Sequence, residues 1–309
     1  MYYLRSHLGQ ADIASKVVGT SQPKLALFRI QELKVPKVQL PTQRKIAAIL
    51  SAYDDLIENN TRRIKILEEM AQALYREWFV NFRFPGHENV RMEDSELRPK
   101  PEGWEVKPIG ESVETLGGGT PSKKIPDFWD DGDIIWYTPS DLTSNGAMFI
   151  SNSNSKITTL GLKKSSAKMF PPSSVMMTSR ATIGVVSINT ISACTNQGFI
   201  TCVPNNKLST YLVYFWILEN KEKIITLASG ATFKEINKST FRKLPIVIPD
   251  ELTHKRFSDS VGPLFEQIRV LLAKNENLQR TRDFLLPKLI SSEMDVSELD
   301  IKIHDGEGA

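Results

Sequence analysis

The chain has 309 residues, with 40% hydrophobic and 24% charged residues, which gives room for about two globular domains and excludes an extended disordered chain. Its net charge is only +3, so a nucleic-acid site must come from local clustering of cations. No apolar run approaches the roughly 18–20 residues that span a bilayer, and the N-terminus lacks the basic-then-apolar order of a secretory signal.

In chain order, residues 1–40 hold Tyr3, Gly19 and a Pro-containing extended stretch. From Ile46 apolar positions step by four and three through Leu50, Tyr53, Ile57, Ile64, Leu67, Ala71, Leu74 and Trp78, with Asn60 in the same seam. That is a heptad pattern, and a polar residue inside it fixes register at some cost in stability. Off the seam, Ile49, Leu56, Ile66, Met70 and Phe79 offer surface for a further helical partner. The stretch Phe82 to Pro101 reads as a linker from its Pro-Gly and Pro-Lys-Pro content.

From Trp104 the pattern becomes short and mixed. Ile134–Tyr137, Val175–Met177, Gly184–Ile188 and Phe199–Val203 read as strands, and Leu208–Leu227 as a helix. The expected fold is α+β, with a twisted, mostly antiparallel sheet. A second seam follows through Phe257, Val261, Leu264, Ile268, Leu271, Asn275, Leu278, Arg282, Leu285 and Leu289. Pro263 is expected in the first turns of this helix, and Pro287 to end or kink it. Each helix has about 35 residues, or roughly 50 Å, longer than a compact domain needs. The two are expected to pack antiparallel as a coiled-coil stalk.

The chain also repeats itself at a shift of 211 positions. Tyr3 falls on Tyr214, Gly19 on Gly230, Leu33 on Leu244, Leu50 on Val261 and Tyr75 on Leu286. The globular stretch from Trp104 to Thr210 has no counterpart before Met1, so the chain reads as one unit and the end of another.

Catalytic constellations do not emerge. Gly117-Gly118-Gly119-Thr120-Pro121-Ser122-Lys123-Lys124 lacks the Gly-Lys-Ser/Thr order of a phosphate loop. Pro249-Asp250-Glu251 has no acidic partner at nuclease spacing, and His7, His87, His254 and His304 are too scattered for a zinc site. No Asn-Pro-Pro-aromatic motif and no methyl-donor loop is found, so neither metal nor cofactor is expected. Cys194 and Cys202 read as two plain thiols of a cytosolic protein rather than a bridge. What remains is polar and cationic: Thr120, Lys123, Lys124, Thr138, Ser140, Lys163, Lys164, Ser179, Arg180, Thr182, Asn196, Gln197 and Lys234. Lysines neutralise phosphates, while Arg, Asn and Gln pair with base edges in the major groove. The alternative is a solvated charged surface, and for Asn196-Gln197 a structural turn.

These residues resemble a family. Trp104–Ile109, Leu116–Ser122 and Ile134–Leu142 look like the opening of a target-recognition domain of type I restriction–modification specificity subunits. Thr178–Gly184 and Thr195–Phe199 look like its middle, and Leu74–Phe79 and Phe284–Ile290 are similar to the ends of the family's two long helices. The resemblance implies a non-catalytic protein that reads double-stranded DNA and docks methyltransferase subunits, and with them a restriction subunit, on its helical stalk. It implies residues 1–40 as the remnant of a first recognition domain, 41–82 and 251–292 as the long helices, 83–102 as linker, 103–250 as a complete recognition domain and 293–309 as a tail. One chain is then expected to read one half-site, and a homodimer to restore two. The competing readings are an assembly or decoy protein that binds methyltransferase subunits without directing them, and a stand-alone enzyme on DNA.

Overall fold

The fold is that of a computed structural model, which describes residues 2–19, 23–230 and 234–301. Helices are α1 (Tyr2–Arg5), α2 (His7–Lys16), α3 (Leu27–Ile30), α4 (Leu40–Tyr75), α5 (Ile109–Ser112), α6 (Pro139–Asn145), α7 (Thr159–Lys163), α8 (Thr210–Glu219), α9 (Lys221–Thr226), α10 (Lys238–Arg242) and α11 (Glu251–Ile290). Strands are β1 (Met92–Glu93), β2 (Lys100–Pro101), β3 (Glu105–Pro108), β4 (Glu114–Gly117), β5 (Ile134–Tyr137), β6 (Phe149–Ile150), β7 (Ser155–Ile157), β8 (Val175–Thr178), β9 (Val186–Asn189), β10 (Ala193–Thr195), β11 (Phe199–Val203) and β12 (Pro245–Ile248). Two compact units result: residues 1–67 with 267–309, and residues 68–266. The fold class is α+β with two long helices, as the sequence predicts.

In the first unit the helices run antiparallel. Leu50 and Ile46 cluster with Leu286, Leu289 and Ile290, and Tyr2, Tyr3 and Val296 join them. Further along, Arg282 Nη1 donates to Asp54 Oδ1 at 2.6 Å, and Asn60 Nδ2 to Asn275 Oδ1 at 2.9 Å. Partners that climb α4 descend α11, so the seam polar residues meet each other. Burial alone would raise the Asp54 carboxyl, but hydrogen bonds from Arg282 and Tyr2 outweigh it and hold the group below its usual value. The seam residues Tyr53, Ile57, Leu67, Leu278 and Leu285 are half-buried, while Ile64, Ile268 and Leu271 are buried. Toward the end of α11 the most buried position shifts from Leu285 to Leu286. A straight helix drifts about 20° per heptad against a 3.5-residue repeat, which moves the seam sideways.

Both prolines lie inside α11, and Pro287 does not end it. The helix runs unbroken from Glu251 to Ile290, with Pro263 well inside it and Pro287 passed without a stop. Each is exposed, and solvent access lowers the cost of a carbonyl left without its helical donor. The start of α11 explains Pro249-Asp250-Glu251: Asp250 Oδ1 accepts from Thr253 N at 2.9 Å and Oδ2 from Trp104 Nε1 at 3.1 Å. It is a helix cap, not a catalytic carboxylate.

In the second unit, among the described residues, six of eight strand pairings are antiparallel. A five-stranded sheet has the order β4-β11-β8-β9-β6, and a three-stranded sheet the order β10-β5-β7. Ile135, Tyr137, Leu142, Phe170, Met176 and Phe199 form the core that joins them. Near α11, Tyr75, Trp78 and Phe79 surround Phe257, with the Phe79 ring edge-on at 4.7 Å. Phe79 is thus buried core and not spare surface. The chain fits Tyr75, Trp78 and Phe79 on one side by opening into a π-helical turn over Arg76–Val80. Leu56, Ile66 and Met70 remain exposed, and Ile49 is half-buried.

The Pro-rich stretch after this turn is folded. Phe84 stacks on Trp104 at 5.1 Å, β1 pairs with β2, and Arg98 donates to the carbonyls of Phe79 and Val80 at 2.8 Å each. The single helix expected over Leu208–Leu227 divides into α8 and α9 at Asn220, whose side chain donates to the Trp216 carbonyl at 2.9 Å. Asn competes in this way with the helical backbone.

The internal repeat is present in the backbone. The antiparallel bridge Val18–Lys24 recurs as Ser229–Glu235, α3 and α10 begin at equivalent positions, and so do α4 and α11. Gly19 and Gly230 both take positive φ, 98° and 132°, as only glycine does at low cost.

Candidate nucleic-acid interface

Sheet topology gathers the candidate loops. β11 pairs antiparallel with both β4 and β8, placing Ile200 beside Gly117 and Phe199 beside Thr178. β10 pairs parallel with β5, placing Thr195 beside Tyr137. The ends of β4, β5, β8 and β10 and the start of β11 therefore lie together. The link Asn196-Gln197-Gly198 passes from the three-stranded sheet to the five-stranded one.

The triglycine segment is explained by close approach. A Cβ on Gly118 would lie 2.0 Å from the Asn196 carbonyl oxygen, and one on Gly119 2.1 Å from Ser166 Oγ. Gly119 N donates to Thr195 O at 2.9 Å. The glycines thus fasten this loop to its neighbours and leave Thr120 at the rim.

A shallow groove is lined by Ser140, Thr143, Arg180, Thr182, Asn196 and Gln197. Thr120 Oγ1 donates to Gln197 Oε1 at 2.6 Å, and the exposed Gln197 keeps its amide N–H donors. Asn196 Oδ1 accepts from Gly198 N at 2.8 Å, so the structural turn given as the alternative is present, while the Asn196 amide nitrogen keeps its donors. The Arg180 guanidinium is half-exposed, with Nε 3.8 Å from a Glu235 carboxylate oxygen. Lys234 is exposed, and its carbonyl accepts from Ala181 N at 3.1 Å, which brings it to the Arg180 loop. Arg180, Asn196 and Gln197 make this a donor-rich surface. Its complement is an acceptor-rich one, such as guanine O6 and N7 or phosphate oxygen.

One candidate is corrected. Ser179 is 2% exposed, and its backbone is tied to Gly198 O and Ile236 N; it braces the loop and faces no ligand. Thr138 caps α6, with Oγ1 donating to Asp141 Oδ2 at 2.6 Å and Asp141 Oδ2 accepting from Thr138 N at 2.7 Å, and it stays half-exposed with Oγ1 2.8 Å from Ser140 Oγ. Lys123, Lys124, Lys163 and Lys164 are exposed but do not line the groove. Sequence reasoning missed Glu235 and Ala181. Ala181 holds φ 62°, a left-handed conformation with no residue signal.

Chemistry elsewhere is quiet. Burial pushes the Cys194 and Cys202 thiols up to about 12, away from the reactive thiolate. His254 accepts from Ser209 N at 3.0 Å through Nε2, and burial lowers its pKa. Among the described residues no cluster of His, Cys, Asp and Glu could hold a metal ion, and no helix is long and apolar enough to cross a membrane.

The groove is a polar, donor-rich surface on the α+β unit. A family model described as the type I restriction modification DNA specificity domain matches residues 1–69 and 101–280, and the chain belongs to that family. It is similar to the type I restriction enzyme MjaIX specificity subunit of Methanocaldococcus jannaschii, 31% identical over 205 residues that make up 66% of this chain and 46% of that one. It is also similar to the HindI specificity subunit of Haemophilus influenzae, 26% identical with 88% of this chain and 71% of that one covered. The match thus spans about half the length of the first relative. In fold it resembles the solved S subunit of a type I restriction–modification system from M. genitalium, with a TM-score of 0.58, 15% identity, and 93% and 71% coverage.

Proposed function

We propose that this chain reads DNA for a type I restriction–modification complex and catalyses nothing itself. Residues 103–250 act as the recognition domain, and the helices 41–82 and 251–292 as the stalk on which methyltransferase subunits dock, and with them a restriction subunit. The observation that carries this reading is the convergence of Thr120, Ser140, Arg180, Thr182, Asn196 and Gln197 from four separate loops, with Lys234 beside them. Arg180, Asn196 and Gln197 read base edges. Lys123, Lys124, Lys163, Lys164 and Lys234 meet phosphates, which makes binding salt-dependent. The exposed Leu56, Ile66 and Met70 support docking along the first helix.

The test is co-expression with a methyltransferase subunit of the same system in a methylation-free host, followed by sequencing of methylated bases. One defined methylated site is expected, an interrupted palindrome if two copies act together. Arg180→Ala should leave assembly intact and weaken methylation at that site about tenfold or more, since a paired base contact is worth ~1–3 kcal/mol. An assembled complex that methylates nothing would reduce the chain to an assembly or decoy protein.

A further inference from the structure

An acid stands beside the arginine of the groove. Residues 179–181 and 234–236 run antiparallel: Ala181 N donates to the Lys234 carbonyl at 3.1 Å, and Ile236 N to the Ser179 carbonyl at 3.0 Å. These two bonds flank the bridge between Arg180 and Glu235. Arg180 and Glu235 are therefore a directly opposite, non-hydrogen-bonded pair, the arrangement that sends both side chains to one face and brings them closest. On its other side Glu235 exchanges both backbone hydrogen bonds with Ser229, at 2.9 and 3.0 Å. Arg180 lines the groove, so this backbone holds a carboxylate at the groove's edge.

The ion pair itself is loose. Arg180 Nε lies 3.8 Å from Glu235 Oε2, beyond hydrogen-bond length, and the two side chains are 47% and 42% exposed. Such a pair stabilises a fold little. Among the described residues neither the guanidinium nor the carboxylate makes a side-chain hydrogen bond, so both are available to a ligand. A carboxylate repels phosphates. A base amino group is the DNA feature that it can accept from.

The major groove offers a matching pair. Guanine presents O6 and N7 as acceptors, and its partner cytosine presents the N4 amino group as a donor. O6 and N4 are hydrogen-bonded to each other at about 2.9 Å, close to the separation of the Arg180 and Glu235 charges. T·A keeps one acceptor for the arginine and an amino group for the acid. C·G and A·T set an amino group against the arginine and a carbonyl oxygen against the acid, so both contacts turn repulsive.

We propose that Arg180 and Glu235 read one G·C base pair as a unit, with Arg180 donating to guanine O6 and N7 and Glu235 accepting from cytosine N4. Glu235 is then a specificity-determining residue that rejects C·G and A·T at that position. This rests on the reading of the chain as a DNA-recognition subunit.

The test co-expresses wild type, Arg180→Ala, Glu235→Gln and Glu235→Ala with the methyltransferase subunit of the same system in a methylation-free host, and sequences the methylated bases. The wild-type site should contain one G·C position that Arg180→Ala and both Glu235 variants relax. There the preference over C·G and A·T should fall about tenfold in Glu235→Gln, the lower end of what one paired base contact supplies. The other positions should stay as strict as in wild type, which a general loss of fold or assembly would not produce. A wild-type complex that assembles and methylates nothing would defeat the DNA-reading proposal, and this inference with it. A wild-type site that both Glu235 variants read as strictly, or relax at a different position from Arg180→Ala, would overturn this inference alone, as would loss of assembly in both Glu235 variants.

Discussion

The described parts of residues 3–40 and 214–251 share a positive-φ glycine, a two-residue bridge and the starts of two helices, yet the second copy is buried where the first is exposed. Ile30 is 44% exposed where its mate Phe241 is fully buried, and Val35 is 61% exposed where Ile246 is fully buried. In the second copy β12 pairs with β3, and α10 sits on α5 and β4. Both copies nonetheless keep the glycine turn, the two-residue bridge and the point at which the long helix begins. Local signals therefore suffice to set the path, while burial sets how strongly it is held. The helices differ in the same way. Asp54 binds Tyr2 and Arg282, while its mate Phe265 sits among Phe149, Tyr211, Tyr214 and Phe215.

That contrast can be broken by mutation. Phe241→Ala should destabilise the globular unit by ~3–5 kcal/mol, the usual cost of emptying a buried aromatic site. Ile30→Ala should cost well under ~1 kcal/mol, in the range of surface changes. Urea unfolding of both variants measures this, and equal losses would mean that the N-terminal copy is buried in solution.

A smaller effect is expected in the stalk. Asn275→Leu leaves Asn60 without its partner and should cost ~1–3 kcal/mol, whereas replacing both by Leu should restore or raise stability and loosen the register. Disulfide trapping between cysteines placed on the two helices would report the register. A double variant as unstable as the single one would show that the pair does not act as a unit.

The smallest effect separates the copies by pH. His254 corresponds to Gln43, which does not titrate. The folded pKa of His254 is lowered by burial, so the unfolded chain binds its proton first as pH falls. Its contribution is complete above about pH 6.5 and declines below that value. A decline in Tm of the globular unit from pH 7 to 5.5, reduced in His254→Gln, is the expected result. An identical decline in the variant would assign the effect to other groups.

Much of this was legible in the sequence. Heptad spacing revealed both helices and placed Asn60 and Asn275 in their seams, because helical periodicity is a local property of residue order. The shift of 211 positions revealed the repeat, and four of the twelve strands among the described residues, β5, β8, β9 and β11, followed from short apolar runs between turn residues. The family resemblance pointed to Thr120, Ser140, Arg180 and Asn196, which the fold brings to one groove. Tertiary structure decided the rest. Ser179 carries the same hydroxyl chemistry as Thr120, and only the register of β8 against β11 turns it inward. The Pro-rich segment folds because Phe82, Phe84 and Arg98 find Trp104 and the end of the first helix, contacts that composition does not encode. Phe79 and Leu56 read alike as off-seam residues, but a π-helical turn buries one and leaves the other exposed. Sequence fixes which conformations are locally cheap. Which side chains meet depends on pairings across tens to hundreds of residues, and those exist only once the chain has folded.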